Sequence, residues 1–419
     1  MRHTLSFTCS GTPNWRALER FSTSLARRCG PGDEWLMGVG ELDSLETARP
    51  GSGFERLGTF LEQHGDWAFG HLAYGMGVEM EPVLAPGDDL LGWPALRFFV
   101  PRFVVQWKPE GILVHCRKED EVDAGRLVAD LAHPDTGAYD TQLPALTFTG
   151  REEYLERAHE LLSHIQRGDI YEVNYCLART GVAQGLDPFA AFAALDRTLR
   201  APHATFYRSG ELYALCQSPE RFVRIEDRTI TGEPMKGTRP RHADASMDRA
   251  LALELANDAK ERSENIMAVD VMRHDMSRVA APRSLHVPEL CEVKSLPALH
   301  QMTSTVRARL REGLGTVDAI RSCFPMASMT GAPKKRAMQL IDAMEGTPRG
   351  LYSGALGYFT PNGDADFNVV IRTLLFDARS GAVSLTTGSA LTAACDPAKE
   401  WEECELKARS VLDALEHVG

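Results

Sequence analysis

Apolar segments paired around short polar turns restrict the fold of this chain more than any other feature. Arg221–Ile225 and Thr229–Glu233 flank the turn Glu226-Asp227-Arg228, a spacing typical of a β-hairpin. Three further strand-like segments, separated by turn residues rich in Pro, Asn and Gly, lie later in the chain: Leu351–Phe359, Asp366–Phe376 and Ala382–Thr387. Adjacent antiparallel strands with helices between the groups predict an α+β architecture.

Helices are predicted between these groups by capping residues and apolar spacing. Thr149-Gly150-Arg151-Glu152 has capping-box spacing, and Gly168 is expected to end the helix that begins there. Ser246–Val279 predicts one long helix or two abutting ones, with Asn257-Asp258 as the break. Two more helices are predicted from first-turn prolines: Pro333–Met344, and Asp396 to about His417.

The length of 419 residues allows two or three lobes. Residues 1–145 are irregular, with strand-like segments at Leu96–Val105 and Ile112–His115, and we expect them to form a variable N-terminal part. A weak linker, Ala132–Pro144, separates them from a catalytic domain at 150–419. No internal repeat is evident.

The net charge of −12 disfavours nucleic acid as a partner, because phosphate binding needs clustered Lys and Arg. No apolar stretch is long enough to span a bilayer, and no export signal is seen. The nine cysteines are dispersed without a C-x-x-C pair, which favours reduced thiols and a cytoplasmic protein.

Lys236 is the residue most suggestive of chemistry. The predicted hairpin brings it to the same end of two paired strands as Glu220. Such a pair could supply a nucleophile and a proton donor. An exposed ion pair beside a turn is the alternative, and the hairpin alone does not decide between them.

Two helices carry charged pairs on one face. Glu261 and Glu264 are three residues apart, and Glu403 and Lys407 are four apart beside an apolar stripe. Acidic oxygens from different helices, completed by water and substrate, suit Mg²⁺. On its own, each pair is better explained by a solvated helix face.

Two positions in the predicted strands are unusual. Arg372 lies in the apolar segment Val369–Leu374, and a carboxylate is expected opposite it because buried arginine is costly unless paired. Gly388 follows a strand in a run of small residues, which lets the backbone approach a ligand closely. His300 would by default be a core histidine with its hydrogen bonds satisfied.

Nine sequence blocks lie in a fixed order between about residues 150 and 416: GDIYEVN, SPERF, PMKGTRPR, AKERSENIMAVDVMRHDMSRV, LHQMTSTV, FPMASMTGAPKKRAM, GLYSGALGY, NVVIRTL and DPAKEWEECELKA. Their order and spacing resemble the chorismate-utilising enzymes, which include anthranilate, aminodeoxychorismate, isochorismate and salicylate synthases. Residues 1–145 are similar only loosely, through DWAFGHLAYGM and FFVP. The resemblance implies two stacked, mostly antiparallel β-sheets flanked by helices.

The resemblance also implies roles for individual residues. Glu264 and Glu403 would bind Mg²⁺, which would hold the ring carboxylate of chorismate, with Glu261 behind them. Glu220 would protonate the departing C4 hydroxyl. The remaining implied substrate-binding residues are Tyr352 and Arg372 at the enolpyruvyl carboxylate, backbone at Gly388, Lys407 near the ring carboxylate, and Thr330 and His300 lining the pocket.

Two positions separate the subfamilies. Enzymes that add water at C2 have a lysine base where this chain has Glu172, so isochorismate and salicylate synthesis are disfavoured. Most of the family has alanine where this chain has Lys236, next to the supporting Thr238, and lysine there is the mark of aminodeoxychorismate synthases. The implied reaction is attack of the Lys236 amine on C2, followed by entry of ammonia at C4.

This chemistry sets a condition on the two central residues. An unperturbed lysine is protonated at neutral pH, so Lys236 must lose a proton while Glu220 keeps one. A tight ion pair between them would shift both groups the wrong way.

The resemblance further implies partners. No glutaminase or lyase pattern is seen, so we expect a separate glutaminase subunit in a heterodimer to supply ammonia, and a separate lyase to complete 4-aminobenzoate synthesis for folate. The alternatives are anthranilate or 2-amino-2-deoxyisochorismate synthesis, or a non-catalytic chorismate-binding subunit.

Overall fold

The computed structural model describes residues 2–8, 11–29, 32–81, 89–134, 137, 141, 143–296, 299–416. The strands in these ranges are β1 His3–Phe7, β2 Thr23–Arg28, β3 Trp35–Thr47, β4 Ala68–Leu72, β5 Leu96–Lys108, β6 Gly111–Cys116, β7 Thr147–Phe148, β8 Glu172–Val182, β9 His203–Ser209, β10 Leu212–Ser218, β11 Arg221–Glu226, β12 Thr229–Gly232, β13 Met235–Pro240, β14 His286–Ser295, β15 Leu299–Arg309, β16 Gly331–Ala332, β17 Ala355–Phe359, β18 Ala365–Val369, β19 Thr373–Asp377 and β20 Ala382–Thr392.

The α-helices of the same ranges flank the strands. They are α1 Gly53–His64, α2 Glu121–Ala132, α3 Arg151–Gln166, α4 Pro188–Leu199, α5 Ala245–Asn257, α6 Ala259–Ser277, α7 Thr316–Cys323, α8 Lys334–Glu345 and α9 Pro397–Glu416. None of these helices is both long enough and apolar enough to cross a bilayer.

The strands form two sheets whose described pairings are all antiparallel. The first sheet runs β1-β6-β5-β3-β2-β9-β10-β19-β20-β8, and the second runs β4-β17-β18-β11-β12-β15, with β13 and β14 also paired to β15. The 13-residue strands β3 and β5 join the sheets, because the first half of β5 pairs with β4 and its second half with β6. A register shift between Glu41 and Asp43 lets β3 follow this bend.

Side chains from both sheets share one core. Leu25 and Tyr207 of the first sheet pack with Phe69 and Leu356 of the second, and all four are fully buried. The predicted α+β fold with two stacked sheets is therefore confirmed. Strands from the first 145 residues lie in both sheets, so the two sequence regions share these cores.

Several predicted elements are confirmed. Asp258 caps α6 by accepting hydrogen bonds from the backbone of Lys260 and Glu261, so the break between α5 and α6 is where the sequence places it. Gly168 has φ +79° after α3. Helix α9 is described to Glu416; His417 and much of the predicted linker Ala132–Pro144 lie outside the described residues.

Several local predictions are wrong. Gly388 lies within β20, which continues to Thr392, and does not follow a strand that ends at Thr387. The strand predicted from Leu351 begins only at Ala355.

Gly150, not Thr149, precedes the first residue of α3, and no side chain caps this helix, so the capping box is absent. The predicted strand Asp366–Phe376 is two strands, β18 and β19, because Arg372 between them has φ +49° and interrupts the extended backbone.

Candidate active site

A cavity of about 460 Å³ lies where the two sheets meet helices α6 and α9. Strands β8 and β20 form its wall from the first sheet, and β13 and the residues before β11 form its wall from the second. Ten of the thirteen predicted site residues line it: Lys236, Glu220, Glu264, Glu403, Tyr352, Arg372, Gly388, Lys407, Glu261 and Thr238.

Lys236 enters this cavity from β13. The strand pairs with β15 on both sides of a register shift that follows Lys236, at which Gly237 has φ +68°. This bulge turns the strand at Lys236 and directs its side chain between the sheets. Its Nζ donates a hydrogen bond to Glu172 Oε1 at 2.7 Å, and the side chains are only 11% and 7% exposed. The exposed ion pair offered as an alternative is therefore wrong.

Charges around Lys236 favour its ammonium form. Burial lowers the pKa of Lys236, but the carboxylates of Glu172, Glu264 and Glu220 outweigh burial and raise the pKa above its ordinary value. Free amine is thus scarce until a substrate or a metal changes this balance.

Glu220 has the opposite character. The predicted hairpin is present, with β11 and β12 joined through Asp227 and Arg228 at φ 47° and 62°, the twist that suits a two-residue turn. Burial raises the pKa of Glu220 to about 7, against the lowering effect of Ser328, Lys236 and Lys407. Among the described contacts Glu220 makes no ion pair with Lys236, and its raised pKa leaves a substantial fraction of the carboxyl protonated near pH 7.

Four carboxylates form one wall of the cavity: Glu261, Glu264, Glu400 and Glu403. Lys260 Nζ lies 2.8 Å from Glu400 Oε1 and 3.7 Å from Glu264 Oε1. Glu264 Oε1 is buried without a hydrogen-bond partner. A buried carboxylate oxygen that accepts no hydrogen bond is a suitable ligand for a hard cation.

This acidic wall fits Mg²⁺ only as a partial ligand set. Among the described residues, no three His, Cys, Asp or Glu side chains converge closely enough to hold a metal ion by themselves. Mg²⁺ commonly takes one or two carboxylates and completes its shell with water and substrate oxygens. The donor set is compatible with that mode of binding.

Arg372 lacks the carboxylate partner expected for it. Within the described part of the chain it makes no hydrogen bond or ion pair through its guanidinium, and burial lowers its pKa despite Glu403. The left-handed backbone at Arg372 presents it to the cavity rather than along a strand. Arg372 is partly buried, and a partly buried cation without a fixed partner is suited to receive an anionic ligand.

Small residues of β20 and one lysine line the part of the cavity next to the acidic wall. A Cβ at Gly388 would lie 2.5 Å from Cys176 Sγ and 2.8 Å from Asn174 Oδ1, so only glycine fits. Lys407 Nζ donates to the Gly388 carbonyl at 2.8 Å and lies 2.7 Å from Glu403 Oε1. Lys407 therefore joins β20 to the acidic wall.

A family model described as "chorismate binding enzyme" matches residues 40–413. The chain belongs to this family.

Named relatives agree with this membership. A protein named aminodeoxychorismate synthase from Streptomyces pristinaespiralis is 43% identical over 71% of this chain and 42% of its own length. Aminodeoxychorismate synthase component 1 from Klebsiella aerogenes is 41% identical over 64% of this chain and 58% of its own length. The chain thus spans less than two thirds of the length of either relative.

The fold is also that of a solved structure. Anthranilate synthase component I from Streptococcus pneumoniae superposes with a TM-score of 0.79 at 24% identity, covering 92% of this chain and 93% of the other. This similarity extends over the N-terminal strands as well as the nine sequence blocks.

Three predicted residues of this chorismate binding enzyme do not line the cavity. Glu172 lies behind Lys236. Thr330 is fully buried and donates to the Met326 carbonyl, and the carbonyl of Thr330 accepts from the Asn174 backbone. His300 is held by Asp248 and Ser295 at 3.0 and 2.9 Å. The predicted pocket-lining role of Thr330 and His300 is therefore not seen, because their polar groups are used within the protein.

Two charged residues of the site were not predicted from the sequence. Lys260 and Glu400 both line the cavity and are paired with each other. Their spacing could have indicated them. Lys260 lies four residues before Glu264, and Glu400 lies three residues before Glu403, so each shares a helix face with a predicted site residue.

Proposed function

We propose that this chorismate binding enzyme replaces the C4 hydroxyl of chorismate with ammonia, forming 4-amino-4-deoxychorismate. The observation that carries the proposal is a largely buried lysine, Lys236, inside the cavity together with Glu220, whose pKa of about 7 leaves a substantial fraction of it protonated near neutral pH. The presence of Glu172 where a water-activating lysine would stand supports the same choice. Relatives named aminodeoxychorismate synthase add to that support.

The reaction consists of two displacements through the ring diene. The Lys236 amine forms a bond to C2, the double bonds shift, and the C4–O bond breaks while Glu220 donates its proton to the departing hydroxyl. Ammonia then bonds to C4, the double bonds shift back, and the Lys236 nitrogen leaves C2. Neither displacement removes pyruvate, so the enolpyruvyl group is retained.

The substrate's two carboxylates have separate binding groups in this proposal. Arg372 and Tyr352, with backbone at Gly388, receive the enolpyruvyl carboxylate. Glu264 and Glu403 hold Mg²⁺, with Glu261 behind them, and Lys407 adds positive charge nearby. Bound Mg²⁺ supplies positive charge for the ring carboxylate and offsets the negative charge around Lys236.

A glutaminase is the proposed source of ammonia, as a separate subunit forming a heterodimer with this chain. "Component 1" in the name of the Klebsiella relative implies a second component for that protein. The product would pass to a separate lyase that makes 4-aminobenzoate for folate. We place the protein in the cytoplasm, and the eight described cysteines are all free thiols, as a reducing compartment favours.

Product analysis tests the proposal. The protein is incubated with chorismate, Mg²⁺ and ammonium, and products are identified by mass spectrometry. We expect 4-amino-4-deoxychorismate without pyruvate, and Lys236→Ala should lower its formation by about 10³-fold or more, because the covalent route is lost. Lys294→Ala, in an exposed pair with Glu289 on β14, should leave turnover unchanged.

Three results contradict the proposal. Prompt anthranilate and pyruvate would show the C2 amination of an anthranilate synthase. Chorismate binding without turnover in the parent protein would show a non-catalytic subunit. Equal turnover by Lys236→Ala would exclude the covalent role of Lys236.

A further inference from the structure

We propose that Glu172 takes the proton that Lys236 must lose before it attacks the substrate, and holds Lys236 in place for that attack. This inference rests on the proposed function. It gives a role to the position at which this chain lacks the water-activating lysine.

The geometry singles out Glu172 among the carboxylates near Lys236. Glu172, Glu264 and Glu220 all act electrostatically on Lys236, and Lys236 in turn acts on Glu403. Only Glu172 is hydrogen-bonded to Nζ in the part of the chain that is described, at 2.7 Å. Proton transfer needs such direct contact.

Glu172 is also held rigidly. It begins β8, where it pairs with Thr392 of β20 on one side and Ala332 of β16 on the other. Its residue is 5% exposed, and it does not line the cavity. A carboxylate fixed behind the lysine can act on Nζ without contacting the substrate, which makes it a positioning residue.

With Glu172 as proton acceptor and Glu220 as proton donor, the protons of the step balance. The proton of the Lys236 ammonium moves to a Glu172 oxygen, and the freed electron pair forms the N–C2 bond. The C4–O bond breaks, and that oxygen takes its proton from Glu220, giving water. A relay of the lysine proton through Glu220 would also balance, but among the described contacts Glu220 is not hydrogen-bonded to Nζ, whereas Glu172 is.

The opposite interpretation is that Glu172 only stabilises the ammonium and so restrains the nucleophile. The two interpretations predict effects of opposite sign. Removing a pure restraint increases the fraction of free amine and raises the rate. Removing the proton acceptor lowers the rate.

The test compares Glu172→Gln with the parent protein in the ammonium-driven assay. We expect kcat to fall by about 10²-fold or more, in the range of a lost general base, while KM for chorismate changes less than about threefold because Glu172 does not line the cavity. The ratio of the parent rate to the variant rate should fall towards one as pH rises, because hydroxide replaces Glu172 as the proton acceptor. The titration of Glu220 affects both proteins and cancels from this ratio.

Two further variants keep the test decisive. Glu172→Asp retains a carboxylate at longer reach and should recover part of the rate; if Glu172→Gln does not fold, the pH dependence of the Asp variant decides. Glu289→Gln makes the same substitution in the exposed Lys294–Glu289 pair and should match the parent.

Distinct results overturn the inference and the proposed function. If the parent turns over and Glu172→Gln is as fast or faster, or its rate ratio is independent of pH, the inference is wrong and the function stands. If the parent makes no 4-amino-4-deoxychorismate, both are wrong.

Discussion

Glu220 and Lys236 lie in one cavity, and their surroundings raise the pKa of both residues, but for different reasons. Burial raises the pKa of Glu220 to about 7. Neighbouring carboxylates raise the pKa of Lys236, although burial alone would lower it. The first shift prepares an acid. The second shift keeps Lys236 protonated and therefore not nucleophilic. Lys236 thus needs a nearby proton acceptor and a cationic ligand.

A pH profile should reveal the acid directly. Glu220 must be protonated to act, so kcat/KM of the parent is expected to fall as pH rises through about 7. Glu220→Gln should lower kcat by about 10²–10⁴-fold and remove this alkaline decline, because no titrating acid remains. Steady-state rates between pH 5.5 and 9 measure both effects.

The matched control for this profile is Glu226→Gln. Glu226 is an exposed residue at the end of the same strand and pairs only with Arg224 at 2.6 Å in the described contacts. It should keep both the rate and the decline. An unaltered alkaline decline in Glu220→Gln would assign the titration to another group.

At the residue scale, local sequence predicted which groups enter the site but not how they pair. The hairpin spacing correctly brought Glu220 and Lys236 together. The partner of Lys236 comes from β8, more than sixty positions earlier in the chain. Such a contact depends on the stacking of two sheets, and no short-range pattern encodes it.

Among the elements, the bulge in β13 sets the direction of Lys236. Gly237 has φ +68°, and an added Cβ would lie 2.8 Å from Glu261 Oε2 and 2.9 Å from Leu255 Cδ1. Gly237→Ala should cost about 1–3 kcal/mol of unfolding free energy through backbone strain and crowding. It should also lower kcat by at least about tenfold, because the strand must move at Lys236.

Gly313→Ala is the control that separates the effect of backbone strain from the effect of crowding around the added Cβ. Gly313 has φ +82°, but a Cβ there meets no atom within 4 Å. Urea unfolding should show about 1 kcal/mol of destabilisation with normal turnover. Normal turnover in Gly237→Ala as well would mean that the bulge does not position the lysine.

Element boundaries were predictable where one residue determines them. Asp258 marks the start of α6 because its side chain supplies the cap. The interruption between β18 and β19 was missed because Val369–Leu374 is continuously apolar, and the left-handed backbone of Arg372 has no local signal in a non-glycine residue. The helices α1, α2, α4 and α7 were also missed, since their apolar faces pack on surfaces from distant parts of the chain.

At the scale of the whole molecule, a buried ion pair connects the sheets. Arg27 of β2 makes two contacts with Asp366 of β18, at 2.8 and 2.9 Å, and Arg221 adds a third at 3.0 Å. Burial raises the pKa of Asp366, but the two guanidinium groups outweigh it and lower the pKa to about 2.

Asp366→Asn should therefore destabilise the protein by about 3–5 kcal/mol, because it leaves a buried arginine without its carboxylate. In the parent, a depressed pKa contributes stability above pH ~4 that is lost as pH falls towards ~2. Chemical unfolding between pH 2 and 7 should show this loss, and the variant should lack its Asp366 component.

Asp270→Asn provides the comparison. Its partner Arg273 lies 3.0 Å away, and both side chains are about half exposed. This substitution should change the unfolding free energy by less than about 0.5 kcal/mol. Similar losses in the two variants would show that the connection between the sheets contributes no special stability.

The pairing of β4 with β17 has a consequence for biosynthesis. Leu72 is hydrogen-bonded in the sheet opposite Ala355, so the second sheet cannot close until most of the chain has left the ribosome. At roughly 5–20 residues per second, β4 waits on the order of tens of seconds for its partner. During that interval its edge is open to other nascent chains. We therefore expect the yield of active protein to depend on chaperones and translation rate more strongly than its final stability suggests.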